Sequence, residues 1–474
     1  MLHPIALHRI VLHRIALAGI ALTVIALGVI AAIAGPVFAQ SYDARRLGMG
    51  GIIVSEVSGS ATQNVAYRAV PKPGGSFAGY TAIPLPLGLI EYFADPPEFD
   101  PDNPNFNVFQ IANLIGQTPW TIQLIKPEEL SSDIIIDISR NSLAVDLGEL
   151  QRLFPAESIR YGISWQSPNF EFGTRNVFAG VRPQTDGRMS LDLDPALQQV
   201  LGEGAPVQPN STYGATDEVQ AQTAIAFTAG AALPVVPATG APEGDPRRGG
   251  FAVYAGARLK YLSGIAFWRA DAGGSFATGD TIFGSTTPID AGYQADIRDA
   301  ADPKLGAGTG VGGDFGVAMF VDRLEIGVGV TDLGSTVAWK HTDLRRIAYD
   351  SVSGNTTTED LERGVEYKSK FPVTGSLNLA YRTGPMLFGG TLDRTSNQRW
   401  IPRAGFETWA AAVPLRAGVY LDTYKQLQFT AGSGFKLGSI GLDVALATNS
   451  RGITTDRGLE LAASLALYGP GGTK

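Results

Sequence analysis

Apolar and polar residues alternate in many segments of this chain, in the pattern of a two-faced β-strand. In segment 251–262 (FAVYAGARLKYL), one face carries apolar residues from Phe251 to Tyr261, and the other carries Arg258 and Lys260. Successive side chains of a strand point to opposite faces, so a shift of one residue would turn both cations onto the apolar face. Each charge there would cost roughly 2–4 kcal/mol at the middle of a bilayer. The register of this strand is therefore fixed.

The same alternation recurs along the chain and predicts fourteen strands. The predicted strands lie near residues 75–83, 158–166, 170–182, 222–234, 251–262, 311–321, 323–333, 372–382, 386–393, 400–409, 414–422, 427–437, 440–449 and 459–468. Connections after even-numbered strands are mostly short, as at Ser167–Asn169. Four connections after odd-numbered strands are long and are expected to be external loops, at 84–157, 183–221, 263–310 and 334–371. Short turns on one rim and long loops on the other are typical of outer-membrane barrels.

The pattern predicts an all-β fold, a transmembrane antiparallel up-and-down β-barrel of about 14 strands with an N-terminal plug segment. A soluble β-sandwich or a propeller is the alternative, but its interior faces would be apolar. Here the second face of the strands carries charged and amide side chains. Strand parity places the following residues toward the lumen: Arg258, Lys260, Asp314, Glu325, Asn378 and Arg382.

The first 39 residues read as a secretory signal peptide. Arg9 and Arg14 precede an uncharged run at 15–34, and Val37-Phe38-Ala39 forms a small-x-small cleavage site. The run is long enough to span a bilayer as a helix, so an uncleaved anchor is the alternative reading. Cleavage would leave residues 40–74 as an N-terminal segment and 75–474 as the barrel. We expect the mature protein in the bacterial cell outer membrane.

Composition argues against several functional classes. Cleavage removes 2 of 37 basic residues and none of 45 acidic ones, so the mature net charge is 35 minus 45, or −10. This balance argues against nucleic acid as a partner. The chain has no cysteine, and His341 is the only histidine after the leader. We therefore expect no catalytic residues, no metal site, no cofactor and no enzyme activity.

Several stretches resemble one family. Residues Ala44–Gly51 (ARRLGMGG) resemble the mature N-terminus of the outer-membrane protein transport family, which includes FadL-like long-chain fatty-acid transporters and PorV-type secretion factors. Segments 310–319 (GVGGDFGVAM), 401–422 and 429–447 are similar to its middle and late strands. Together these stretches cover about half of the mature chain. The sequence departs from the family at Asn64-Val65-Ala66, where Asn-Pro-Ala is common, and after its last aromatic residue, Tyr468.

The resemblance implies an N-terminal hatch, residues 40–74, folded into the lumen. The hatch residues singled out are Arg45, Arg46, Gly48, Met49, Gly50 and Gly51. Glycine permits tight turns against a curved wall, and the two arginines are expected to pair with inward carboxylates such as Asp314 or Glu325. A disordered periplasmic tail is the alternative.

The resemblance also implies passive uptake of small hydrophobic compounds such as fatty acids. In the loop 84–157, four apolar residues at roughly helical spacing suggest an apolar ligand groove: Phe106, Phe109, Ile111 and Leu114. Simple packing of this loop over the barrel mouth explains the same stripe. The rival function is that of a PorV-type, non-transporting partner in protein secretion or surface attachment. The expected partners are outer-membrane lipid and either a hydrophobic small molecule or a secreted protein.

Overall fold

A computed structural model gives the fold of this protein. It describes residues 43–57, 59–71, 80–85, 120–123, 135–138, 143–146, 159–166, 170–280, 290–350, 354–396, 398–411, 413–421, 427–438, 440–450 and 457–468. The predicted signal peptide and the predicted groove residues Phe106, Phe109, Ile111 and Leu114 lie outside these ranges.

The helices in the described ranges are short. α1 (Ala44–Gly48) and α2 (Ser60–Gln63) belong to the N-terminal segment, followed by a 3₁₀ turn at Val65–Arg68. α3 (Pro195–Glu203) connects two strands and is capped by Asp194, whose carboxylate accepts a hydrogen bond from the Leu197 amide at 2.6 Å. Two further 3₁₀ turns lie at Pro242–Gly244 and Pro246–Arg248. Within the described part of the chain, no helix combines the length and apolar character that crossing a membrane requires.

Strands make up most of the described chain. They are β1 (Tyr80–Pro84), β2 (Trp120–Gln123), β3 (Ile135–Ile138), β4 (Leu143–Asp146), β5 (Ile159–Gln166), β6 (Phe170–Gly173), β7 (Val177–Leu193), β8 (Thr212–Thr239), β9 (Phe251–Ala277), β10 (Asp290–Ala300), β11 (Gly308–Val321), β12 (Leu324–Asp350), β13 (Asn355–Lys370), β14 (Thr374–Thr383), β15 (Met386–Thr395), β16 (Ile401–Ala410), β17 (Val413–Leu421), β18 (Leu427–Leu437), β19 (Ile440–Ser450) and β20 (Arg457–Tyr468).

These strands form one antiparallel meander in which the first strand, β1, pairs with the last, β20, with Tyr80 opposite Tyr468. Four pairs of strands each occupy a single wall position, since both members pair with the same neighbour: β1 with β2, β5 with β6, β10 with β11 and β13 with β14. β3 and β4 form a separate hairpin. Fourteen wall positions remain among the described strands. The predicted fold, an up-and-down β-barrel of about 14 strands, is confirmed.

One rim of the barrel carries tight turns, but the turn predicted at Ser167–Asn169 is wrong. β5 and β6, which flank these residues, both pair with β7. The reversal lies after β6, where the Thr174 amide donates to the Val177 carbonyl at 2.8 Å and the Val177 amide donates to Thr174 Oγ1 at 2.9 Å. Proline and asparagine favour turns in general. The ladder partners of the flanking strands, which a sequence does not reveal, decide where the chain reverses.

Three of the four predicted external loops are largely strand. β7 and β8 extend into 183–221, β9 and β10 fill much of 263–310, and β12 and β13 fill most of 334–371. The fourth, 84–157, includes β2, β3 and β4 in its described residues. The prediction missed these extensions because it required an apolar face, which a strand needs only where it faces an apolar environment. Outside the apolar environment, backbone hydrogen bonds between neighbouring strands stabilise strands whose residues are mostly exposed, as in β13.

The two faces of the wall differ in the predicted sense. On β9, Leu259 is 70% exposed, whereas its neighbours Arg258 and Lys260 are 1% and 2% exposed. Outward apolar residues recur around the barrel: Tyr261, Val311, Phe315, Leu377, Leu379, Phe429 and Leu437. The wall is therefore apolar outside and polar inside.

Candidate functional site: the N-terminal segment inside the barrel

The N-terminal segment lies inside the barrel. We call residues 43–57 the first hatch segment, residues 59–71 the second, and both together the hatch. α1, in the first segment, packs against β18, β19 and β20, while the 3₁₀ turn of the second packs against β8, β9 and β11. Leu47 lies in a buried cluster with Ala445, and Val65 in another with Tyr254 and Phe320. The hatch therefore reaches from one side of the wall to the other.

The start of the hatch is shaped by a cap and by glycines. Asp43 caps α1, its carboxylate accepting a hydrogen bond from the Arg45 amide at 2.9 Å. After the helix, Gly50 and Gly51 have φ angles of 70° and 79°, in the left-handed region that favours glycine. The Gly51 amide donates to the Arg46 carbonyl at 2.8 Å. These residues reverse the chain inside the lumen.

Glycines on the inner face of the wall touch the hatch so closely that a side chain would not fit. A Cβ atom on Gly405 would lie 2.1 Å from the Met49 carbonyl oxygen, and one on Gly418 would lie 2.2 Å from the Gly50 nitrogen. On the other side of the wall, a Cβ on Gly329 would lie 2.1 Å from the Gln63 carbonyl oxygen. Glycine within a strand often marks such a close approach of another backbone.

These glycines lie opposite one another on neighbouring strands. Gly256, Gly316 and Gly329 are cross-strand partners on β9, β11 and β12. Gly389, Gly405 and Gly418 are partners on β15, β16 and β17. We call these six residues the glycine belt. It forms two rows on which the backbone of the hatch rests.

Ion pairs hold the first hatch segment. The Arg45 guanidinium binds both oxygens of Glu407 on β16, with Nη2 to Oε1 at 2.6 Å and Nε to Oε2 at 2.8 Å. Glu407 Oε2 also accepts from Arg416 Nε at 2.6 Å, and Arg416 Nη1 reaches Asp443 Oδ1 at 2.6 Å. The side chains of Glu407 and Arg416 are almost fully buried. Alternating charges thus run from the hatch across three wall strands.

Main-chain groups of the first segment are also bound. The Ala44 amide donates to Ser464 Oγ at 2.9 Å, the Gly50 amide to Thr430 Oγ1 at 2.9 Å and the Ile53 amide to Thr391 Oγ1 at 2.8 Å. Because each acceptor is an inward side chain of a different strand, the segment is held along its whole length. A disordered periplasmic tail would not make these contacts.

The end of the first segment docks on β12 and β14. Ser55 donates twice to Glu325, from its amide to Oε1 and from its hydroxyl to Oε2, both at 2.7 Å. Glu56 Oε1 lies 3.0 Å from Arg382 Nη2 and 3.5 Å from Arg45 Nη2. Burial alone would raise the pKa of the Glu56 carboxyl, but the charges of Arg382 and Arg45 outweigh it and lower the pKa to about 2. Glu56 is therefore a carboxylate at neutral pH.

Fewer ties hold the second hatch segment. Asn64 Nδ2 donates to the Val317 carbonyl at 2.9 Å. Arg68 Nη1 lies 2.5 Å from Glu171 Oε2, and the other Glu171 oxygen accepts from Arg258 Nη2 at 2.6 Å. At the end of the segment, Arg247 Nη2 donates to the Pro71 carbonyl at 2.6 Å. Arg247 lies in the long connection between β8 and β9. Through this contact, the connection helps to hold the end of the hatch.

A buried charge cluster lies beside the second segment. Asp314 binds Arg258 Nη1 at 3.0 Å and Lys260 Nζ at 2.6 Å, and Lys260 Nζ also binds Asp332 Oδ1 at 2.8 Å. The Asp332 amide donates to Asp314 Oδ1 at 2.9 Å. Asp332 has a φ of 59° within β12. The carboxylate of Asp314 therefore stabilises the left-handed backbone conformation of Asp332 within β12.

A group of apolar side chains from the wall packs together inside the lumen, at another height along the barrel axis. We call Leu262, Phe267, Val337, Trp339, Tyr367 and Phe371 the aromatic cluster. The Phe267 ring lies 5.4 Å from the Trp339 ring and 5.1 Å from the Tyr367 ring, between centroids. Trp339 Nε1 donates to Ser369 Oγ at 2.8 Å, and Ser369 Oγ donates to Gln222 Oε1 at 2.5 Å. Since three wall positions separate β8 from β13, this last contact crosses the lumen.

The structure places the predicted site residues as follows. Arg258, Lys260, Asp314, Glu325, Asn378 and Arg382 lie on the inner face. Arg45 pairs with Glu407, and not with Asp314 or Glu325 as expected. Arg46 donates within the hatch, from Nε to the Gly51 carbonyl at 3.1 Å. Strand parity identifies an inward carboxylate, but the course of the hatch determines which one an arginine meets.

Sequence reasoning missed the glycine belt and Glu407. Both carried a signal in the sequence. Each belt glycine occupies an inward position of an alternating strand, where an apolar or polar side chain would otherwise fill the lumen. Glu407 lies two residues after Gly405 on β16, so both residues face the lumen. A row of inward glycines on neighbouring strands predicts that a second backbone lies against them.

Comparison with known proteins gives only remote similarities. No family model matches the chain, and no curated protein matches it. Among solved structures, the P. putida toluene transporter TodX is 8% identical with a TM-score of 0.25, over 68% of this chain and 92% of that chain. The P pilus usher (PapC) translocation pore is 9% identical with a TM-score of 0.17, over 65% of this chain and 96% of that chain. The translocator domain of autotransporter NalP from Neisseria meningitidis is 10% identical with a TM-score of 0.15, over 66% of this chain and 87% of that chain. Similarities this remote do not identify a relative.

Proposed function

We propose that this protein is an outer-membrane β-barrel for the passive uptake of small hydrophobic compounds, such as fatty acids, through a lumen plugged by the hatch. The observation that carries this proposal is the position of the hatch. Its two segments bind inward side chains on both sides of the barrel, from Ser464 on β20 to Glu171 on β6. A lumen closed in this way excludes freely diffusing ions, yet it admits a ligand that displaces part of the hatch.

The apolar outer face supports a membrane location. Large apolar side chains such as Leu259 and Leu437, 70% and 78% exposed, recur around the wall. A soluble monomer rarely exposes so extensive an apolar surface. Together with the signal peptide that the sequence predicts, this surface supports the outer membrane, where β-barrels reside.

The aromatic cluster supports a hydrophobic ligand. It places apolar side chains, including Phe267 and Trp339, inside a lumen whose other inward residues are mostly polar. Apolar surface with a few polar groups beside it is the usual lining of a small-molecule site. In this proposal the ligand moves through the barrel down its own concentration gradient.

Planar bilayers test the plug directly. The full-length protein is expected to show no steady conductance, whereas a variant lacking residues 41–70 should show ion-conducting steps. The reason is that a fourteen-strand barrel is too wide for its own side chains to fill completely. A closed trace from the folded deletion variant would contradict a plug.

Whole cells test the ligand class. Cells that express the protein should accumulate a radiolabelled fatty acid faster than cells without it, because the lipopolysaccharide leaflet slows apolar compounds. A radiolabelled sugar of similar mass serves as the control and should enter no faster. Equal uptake of the fatty acid with and without the protein would exclude this function.

One observation favours the rival function, a non-transporting partner in protein secretion or surface attachment. β8, β9, β10, β12 and β13 continue well past the apolar band, and the residues of β13 and of the first part of β8 are largely polar. Such an extension offers a broad surface for a protein. Purification from outer membranes with mass spectrometry distinguishes the two: a stoichiometric secreted protein favours the partner role, and a bound apolar compound favours uptake.

A further inference from the structure

Arg182, on β7, is a buried cation whose hydrogen-bonding capacity is unused. Its side chain is fully buried, and none of its three guanidinium nitrogens has a hydrogen-bond partner among the described residues. The carboxylate oxygen of Asp314 lies 4.0 Å from Arg182 Nη2, beyond hydrogen-bonding distance. Both oxygens of Asp314 are already engaged, by Arg258 and by Lys260 with the Asp332 amide.

The charge balance around Arg182 leaves one positive charge in excess. Among the described residues, Arg182, Arg258 and Lys260 share the two carboxylates of Asp314 and Asp332. Glu171, which also touches Arg258, is shared with Arg68 of the hatch. Burial of a guanidinium without hydrogen-bond partners is strongly unfavourable. An anion beside Arg182 would remove this penalty.

Further groups near Arg182 are ready to bind a ligand. Gln184, two residues along β7, has both side-chain atoms buried without a hydrogen bond among the described residues, and so does Thr228 Oγ1 on β8. The residues facing Arg182 and Gln184 across the strand pair are Ala226 and Ala224, whose side chains are small. Several donors close together are the arrangement that a carboxylate needs.

The surroundings also suggest what else the ligand carries. Ala226 is paired with Leu262 of the aromatic cluster, so an apolar surface begins one strand away from Arg182. Room along the barrel axis is limited. Four residues before Arg182 lies Phe178, which packs with the second hatch segment. Four residues after Arg182 lies Asp186, which is paired with Gln222, the residue that contacts Ser369 across the lumen. Four residues of strand span roughly 13 Å.

We propose that Arg182 and Gln184 bind the carboxylate of a compact organic acid, whose apolar body lies against Ala226 and Leu262. This inference rests on the proposed uptake function and narrows its substrate class, from hydrophobic compounds in general to acids about the size of one ring. The planar guanidinium donates two parallel hydrogen bonds to a carboxylate. The amide of Gln184 supplies a third donor.

Calorimetric titration of the purified full-length protein in detergent tests the site. The probes are benzoate, its neutral analogue benzyl alcohol, and sulfate. Benzoate should bind the unmodified protein, and Arg182→Gln should weaken its binding at least about tenfold, the typical effect of losing charge-assisted hydrogen bonds. Arg182→Lys should retain part of the affinity. Arg269→Gln, which changes a partly exposed arginine paired with Asp271, is the matched control and should bind benzoate normally.

Three results would overturn the proposal. These are equal benzoate affinity in Arg182→Gln, sulfate binding as tight as benzoate, which would mark an inorganic anion site, and no binding of benzoate to the unmodified protein. If Arg182→Gln fails to fold, the Arg182→Lys titration decides in its place. Binding in detergent requires no transport, so the conductance of the hatch deletion tests the uptake function separately.

Discussion

The barrel wall has two unlike halves. In the short-strand half, β14 to β20, the strands have 9 to 12 residues and their inner face is rich in glycine, alanine, serine and threonine. In the long-strand half, β7 to β13, the strands reach 28 residues and large side chains such as Arg258 and Trp339 point inward. The first hatch segment fills the short-strand half. In the long-strand half, the second hatch segment rests on Gly256, Gly316 and Gly329, and large wall side chains such as Trp339 fill other levels.

This difference shows two ways of closing one lumen. Small inward residues leave room for a separate backbone, which can leave without breaking the ladder of the wall. Large inward residues stay in place when the hatch moves, since they belong to strands that hydrogen-bond to neighbours on both sides. A route that opens and closes is therefore expected along the short-strand half.

The largest effect is expected from a side chain on the glycine belt. Gly405→Leu places atoms where the Met49 carbonyl now lies, 2.1 Å from the position of the new Cβ, so the first hatch segment cannot dock. The outer face and the ladder of β16 are unchanged. Planar-bilayer recordings should then show conductance similar to that of the hatch deletion.

Gly375→Leu is the matched control for this change. Gly375 lies on β14, and a Cβ there would meet no atom within 4 Å. This variant should stay closed. If Gly405→Leu also stays closed and folds normally, the first hatch segment does not seal the short-strand half.

The second prediction concerns Glu407, which binds Arg45 and Arg416 together. Glu407→Gln leaves two buried guanidinium groups without their shared carboxylate, and removal of one partner of a buried pair typically costs about 3–5 kcal/mol. Urea unfolding should show this loss, and a protease should cut the hatch more readily. Glu171→Gln, the counterpart in the long-strand half, should cost less because its hatch partner Arg68 is more exposed than Arg45.

A double-mutant cycle separates the contribution of the hatch. Arg45→Gln combined with Glu407→Gln should cost less than the sum of the single changes, by about 1–3 kcal/mol. Strict additivity would mean that Glu407 serves the wall through Arg416 alone.

The sequence predicted the wall better than its contents. Strand parity placed Arg258 and Lys260 inward because a period of two separates the faces wherever one face is apolar. The extension of β8 was missed because most of its residues are polar. The extension of β12 was missed because its inner face mixes the apolar Val337 and Trp339 with the polar Ser335 and Thr342, so the periodic signal is lost. The pairing of Arg45 with Glu407 was also missed. It joins residues far apart in sequence through a hatch that has no periodic pattern of its own.

The third prediction tests whether the long-strand half closes itself. In the variant lacking residues 41–70, adding Trp339→Ala should raise the conductance by a modest fraction, because it opens the aromatic cluster and removes the Trp339 hydrogen bond to Ser369. With the hatch in place, the same change should leave the trace closed. A large increase in the intact protein would show that the aromatic cluster, and not the hatch, is the main seal.

The smallest effect is expected from acid, through Glu56 in the first hatch segment. Burial acts to raise the pKa of its carboxyl, but Arg382 and Arg45 lower it to about 2, from an ordinary value of 4.5. A group whose pKa is depressed in the folded state stabilises that state above its unfolded pKa and loses this contribution as the pH falls toward the folded value. Docking of the hatch should therefore weaken between about pH 4.5 and 2, while other ties such as Ser55 to Glu325 remain.

Protease access to the hatch, measured over this pH range, checks the prediction. Glu56→Gln should expose the hatch slightly more at neutral pH and should respond less to acid, because the neutral amide has no charge to lose. Asp302, an exposed carboxylate paired with Lys304 outside the hatch, provides the control variant Asp302→Asn, which should follow the unmodified protein. An identical acid response in Glu56→Gln and the unmodified protein would show that the short-strand half holds the hatch through its wall carboxylates alone.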